Sequence, residues 1–170
     1  MTPACQPLPP GLPARALAPR LACAMLAGFA ALACMAAGPA AFAQDVHMVS
    51  MAGERLGDAD LAKGTTIVVV WATWSPRSHD IVERVAPLAG HWSSRARFVT
   101  VDFEEERPAI TAFLAGRSMA CPVFLDVDGT FSKKYAVATL PGLLVLKDGK
   151  VVYHGKLPDD PDRVISDLLH

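Results

Sequence analysis

The sequence predicts an α/β domain: a central mixed sheet with helices on both faces. Two observations carry that expectation. Short β-branched and apolar runs alternate with stretches whose apolar residues recur every three or four positions. Near the end, two apolar runs flank Lys147-Asp148-Gly149-Lys150, whose Asp-Gly pair signals a hairpin turn.

Asp45–Leu56 alternates apolar and polar positions around Ala52-Gly53-Glu54, which predicts a short hairpin or edge strand. Asp58-Ala59-Asp60-Leu61 reads as a polar connector. Ile67–Trp71 is the first core strand. It stops at a Trp-Ser-Pro turn, and Pro76–Trp92 follows as the first helix, with Ile81, Val82, Val85, Leu88 and Ala89 on its apolar face. Ser75 suits the N-cap and Pro76 the first helical position, where a missing N–H costs nothing. Pro87 is expected to kink or interrupt that helix.

Ala96–Phe103 is the second strand, followed by Glu104-Glu105-Glu106. Pro108–Leu114 is a short helix ended by Gly116. Pro122–Val127 is a third strand closed by Asp128-Gly129, and Phe131–Tyr135 is a single helical turn. Gly142–Leu146 and Val151–His154 form the hairpin, and Asp160–Leu169 a last helix.

The chain has 170 residues, enough for one domain after its first stretch is set aside. Residues 1–43 read as a secretory signal peptide. Arg15 and Arg20 precede the apolar Leu21–Ala37, and Ala41-Phe42-Ala43 fits a cleavage site. An uncleaved membrane anchor, or lipid attachment at Cys34, are the alternatives. Residues 44–170 would then form the exported domain, in the periplasm or anchored to the inner membrane. All 17 acids lie there with 14 of the 16 basic residues, so its formal charge is −3. No basic run stands out, so nucleic acid is not an expected partner, and membrane contact is expected only through an uncleaved N-terminus. Of four cysteines, Cys5, Cys23 and Cys34 fall in the leader, and only Cys121 remains. One cysteine makes no internal disulfide and no dithiol couple.

Val-Trp-Ala-Thr-Trp-Ser-Pro-Arg-Ser at 70–78 resembles the Trp-Ala-Thr-Trp-Cys-Pro-x-Cys signature of thioredoxin-fold proteins, above all the TlpA/ResA-type thiol–disulfide oxidoreductases of bacterial envelopes. Two further stretches carry the resemblance. Cys121–Gly129 is similar to the strand that TlpA-like proteins insert, and Thr139-Leu140-Pro141-Gly142 to the cis-proline segment. The resemblance runs from about Leu56 to the C-terminus. It implies a thioredoxin-like fold with the TlpA-type inserted strand and a cis Leu140–Pro141 bond. It also implies a shelf where Trp74, Pro76, Leu140 and Pro141 hold an extended peptide. The family's two reactive cysteines are Ser75 and Ser78 here, and a strand position often Asp or Asn in relatives is Val69. A serine hydroxyl stays protonated and cannot enter disulfide exchange.

Other chemistry weighs less. Ser75 and Ser78 read as a capping residue and a solvated first-turn serine. A Ser75 nucleophile with His79 as base lacks the Gly-x-Ser-x-Gly elbow and an orienting acid. Cys121 reads as a small buried apolar residue, with a peroxide-sensing or mixed-disulfide thiol as the alternative. If the third strand runs parallel to the first, Cys121 lies at the sheet end away from Ser75. Glu104–Glu106 read as a solvated acidic cluster that should rim the ligand end, with a role in selecting a partner as the alternative. His47, Met48 and Met51 offer soft metal ligands without a recognised spacing. No cofactor is expected. The expected role is a non-catalytic module binding an envelope protein or peptide, including cysteine-containing ones. The alternatives are a redox enzyme acting through Cys121 or a partner's thiols, as in cytochrome c maturation or redox homeostasis, and a metal-handling protein.

Overall fold

The computed structural model describes residues 45–169. Residues 1–43, expected to be a signal peptide, and the three cysteines among them lie outside the described residues. An interior strand of the sheet is β3 (Thr65–Trp71), whose β-branched residues suit a pleated surface. It is covered on both faces, which is why it reads as a continuous apolar run rather than an alternating one.

The remaining strands are β1 (His47–Ser50), β2 (Arg55–Gly57), β4 (Arg97–Phe103), β5 (Val123–Asp126), β6 (Gly142–Lys147) and β7 (Lys150–Lys156). They form one sheet in the order β2-β1-β5-β4-β3-β6-β7. β3, β4 and β5 run parallel, and the outer pairs are antiparallel. The sheet is therefore mixed, as the alternation of strands and helices predicts. The hairpin between β6 and β7 turns at Asp148 (φ 50°) and Gly149 (φ 76°), the two positive dihedrals a tight two-residue turn requires.

Helices α2 (Ile81–Trp92), α3 (Arg107–Phe113) and α5 (Pro161–Leu169) cover one face. There Ile81, Val85, Leu88, Ile110 and Ile165 pack on Ile67, Val69 and Trp71. Helices α1 (Asp58–Leu61) and α4 (Thr130–Lys134) cover the other, where Leu61 and Phe131 pack on Val68 and Val70. Asp126, buried at the end of β5, accepts from the N–H groups of Phe131 and Ser132 and so fixes α4 to the sheet.

Three local expectations are corrected. Asp58–Leu61 is a helical turn rather than a connector, because Asp60 accepts from the Gly57 N–H and Asp58 from the Val46 N–H. The helix expected over Pro76–Trp92 is two pieces: a 3-10 turn at Pro76–Ser78, then α2 from Ile81. The break falls at His79 and Asp80, and Pro87 lies inside α2 without ending it. Five buried side chains (Ile81, Val85, Leu88, Ala89 and Trp92) hold α2 to the sheet, which outweighs the one backbone bond that proline forfeits.

Candidate functional site

β3 ends at Trp71, fully buried and packed against Phe113. The chain leaves the sheet at Ala72 and turns at once, with the Ser75 N–H donating to the Ala72 carbonyl at 3.2 Å. The Ser78 N–H then donates to the Ser75 carbonyl at 2.9 Å, which closes the 3-10 turn. Ser75 occupies the N-cap position, yet its side chain makes no capping bond. The capping role expected of it is therefore a backbone role only. Ser78 is not solvated as expected: it is fully buried and its hydroxyl has no partner. Ser78 lies three and seven residues before Ile81 and Val85, in step with the face that α2 turns to the sheet.

Opposite the turn, the chain after α4 passes through Ala136 (φ 50°) and reaches a cis Leu140–Pro141 bond before β6. Trp74, Ser75, Pro76, Arg77, Phe103, Val137, Ala138, Thr139 and Leu140 together line an open groove of about 490 Å³. Trp74 is 59 % exposed, and its ring lies 6.4 Å from that of Phe103. So four of the residues singled out in sequence, Trp74, Ser75, Pro76 and Leu140, share one groove. Pro141 is buried behind it, and its carbonyl accepts from the Leu157 N–H.

Gly142, the next residue, has room for nothing larger. A Cβ there would lie 2.8 Å from the Thr139 carbonyl and 3.2 Å from Val137. Gly142→Ala should therefore push the Thr139–Leu140 wall outward. Overpacking of this kind costs about 1–3 kcal/mol, to be read from the urea midpoint.

Cys121 lies where the parallel strands place it. It precedes β5, whose start is at the sheet end opposite to the turn that follows β3. It packs against the core as a half-buried residue, and burial pushes its thiol up to about 12. The thiolate that a reactive cysteine needs is thus scarce at neutral pH. Among the described residues, no group of three or more His, Cys, Asp and Glu side chains is placed to hold a metal ion. His79, exposed, makes no hydrogen bond to Ser75, so the serine–histidine pair is not assembled.

Two residues that were not singled out individually matter here. Asp102 of β4 sits beside Trp71 in the β3–β4 register and is fully buried, with no donor reaching either oxygen among the described residues. Burial first, and the Glu105 carboxylate second, push its pKa up to about 8. Glu105 meanwhile accepts from both the N–H and the hydroxyl of Thr73. Of the acidic run, Glu104 instead approaches Lys133 at 3.6 Å, and Glu106 sits at the N-cap position before α3. The sequence signal for Asp102 is one acid in an otherwise apolar strand, Phe-Val-Thr-Val-Asp-Phe.

This sheet order, the helices on both faces and the turn opposite a cis-proline define a thioredoxin-like fold. Solved structures share it. The pneumococcal exposed lipoprotein thioredoxin of Streptococcus pneumoniae superposes with a TM-score of 0.64 at 18% identity, over 74% of this chain and 98% of that one. StoA from Bacillus subtilis gives 0.61 at 20% identity, over 75% and 97%. A secreted disulfide oxidoreductase of Mycobacterium tuberculosis gives 0.59 at 16% identity, over 73% and 94%. No protein-family model matches the sequence, and no curated protein matches it. At these identities the likeness is one of fold. Among the described residues no helix is long and apolar enough to cross a membrane.

Proposed function

We propose that this chain is an exported, TlpA/ResA-like binding module. It would hold an extended segment of an envelope protein in the groove beside Leu140 without exchanging disulfides. The observation that carries the reading is an open apolar groove at the turn with serines at both reactive positions. The position of Cys121 at the far end of the sheet, with its thiol pushed up to about 12, argues against the redox alternative.

The recognition follows from chemistry. Trp74, Phe103, Val137 and Leu140 offer apolar surface to a side chain. The backbone just before Pro141, which belongs to no strand, offers N–H and C=O groups to a main chain, as strand-adding sites do. Export would place the protein in the periplasm, with residues 1–43 removed.

The test uses reduced, S-alkylated α-lactalbumin, an extended chain with no free thiol. It should bind and shift the amide resonances of residues 74–77 and 137–140. Trp74→Ala should weaken that binding about tenfold, the usual cost of truncating a central aromatic anchor. Shifts confined to other surfaces would sink the reading.

A further inference from the structure

We infer that Asp102 and Glu105 share one proton, and that this proton positions Thr73 and with it the Trp74 wall of the groove. The inference rests on the proposed reading of that groove and adds a control to it.

Three observations meet here. Asp102 is fully buried, and neither of its oxygens is reached by a donor. A bare carboxylate in such a place is costly; a neutral carboxyl is far less so, provided it finds an acceptor for its hydrogen. Glu105 is that acceptor, close enough to raise the proton affinity of Asp102 by charge and by hydrogen bond. Finally, both Glu105 oxygens are already turned to Thr73, one to its N–H and one to its hydroxyl. With the proton shared, that carboxylate would accept from Asp102 as well as twice from Thr73.

The backbone is bent to allow this. β4 ends at Phe103, and Glu104 takes the left-handed conformation (φ 55°), which brings Glu105 back toward the motif turn. Thr73 is the residue before Trp74, so what holds Thr73 also sets where the exposed indole begins.

Among the described residues the surroundings offer no cation to replace the proton, and Glu105 is the one charged group acting on Asp102. β3 presents Trp71 beside it, and the 3-10 turn presents Ser78 on the same face. On the turn, Arg77, His79 and Asp80 are exposed. On α3, Arg107 is spent on the carbonyls of Ser50 and Met51, and beyond it Arg117 on those of His79 and Phe113. Glu104 faces Lys133, Glu106 is exposed, and Asp126 of β5 caps α4 on the other face. When the shared proton leaves to solvent, two carboxylates remain within hydrogen-bond reach. Glu105 is only half-buried, so it moves to water and gives up Thr73.

The experiment is NMR on the ligand-free protein, labelled with 15N throughout and with 13C at the aspartate carboxyls, from pH 5 to 10. Using no ligand, it stands or fails apart from peptide binding. One aspartate carboxyl, assigned to Asp102 by its loss in Asp102→Asn, should titrate far above the ordinary carboxylate range. The Thr73 amide and the Trp74 indole should shift with the same midpoint. Both shifts should vanish in Asp102→Asn and persist in His79→Gln. Every aspartate titrating in the ordinary acidic range overturns the inference. So does a Thr73 shift that survives Asp102→Asn or is lost in His79→Gln. Should Asp102→Asn fail to fold, the wild-type carboxyl titration decides: an aspartate midpoint that matches the Thr73 shift sustains the pair, and the lack of one overturns it.

Discussion

Wild-type protein is expected to reduce insulin no faster than the dithiothreitol background, while Ser75→Cys with Ser78→Cys raises the rate about tenfold above it. The two positions are the N-cap and the last residue of the 3-10 turn, three apart in sequence. The Ser78 N–H to Ser75 carbonyl bond holds the two positions close in the backbone. Ser78 also carries a buried hydroxyl with no partner, a state that costs about 1–3 kcal/mol. A thiol is at home in apolar surroundings, so Ser78→Cys alone should raise the urea midpoint. Two features restrain the gain. Ser75 is only 5 % exposed, which limits attack on a partner's disulfide. The turn is three residues long, so its end carries less positive potential than a full helix would lend a thiolate. Wild-type turnover that disappears in Cys121→Ser would sink the binding-module reading. A double-cysteine variant that forms its disulfide but stays inert would mean the groove does not seat a chain.

The second large effect is on stability against pH. Asp102 is pushed from 3.8 up to about 8 in the folded protein by burial and the Glu105 carboxylate. Between those values the folded state binds a proton that the unfolded chain has already released. Stability must therefore fall as pH rises through that window, and level off above it. A single such group accounts for at most about 1.4 kcal/mol per pH unit. Asp102→Asn keeps the shape and the donor to Glu105 but has no proton to lose. Urea unfolding at pH 5 and pH 8 should show a marked loss in the wild type and a much smaller one in the variant. Equal slopes would mean that Asp102 is ionised in the folded protein.

Much of the architecture was legible in sequence because its causes are local. The β-branched run of β3, the apolar spacing of α2 and the Asp148-Gly149 turn each sit within a few residues of what they produce. The parallel order of strands was enough to expect Cys121 at the far end of the sheet, since strand direction alone decides it. The serines at 75 and 78 were plain, and they leave no thiol at those two positions whatever the fold. What the tertiary structure decided depends on contacts between distant segments. The α2 face anchors to the sheet from Ile81 onward, and Pro76–Ser78 forms a separate turn ahead of it. Trp74 and Leu140 meet only because β6 lies antiparallel beside β3. Asp102 reads as one acid in a strand until the β3–β4 register buries it beside Trp71 and the left-handed Glu104 returns Glu105 to it. A carboxyl's charge is set by the water it loses and the groups that replace it, and the fold supplies both.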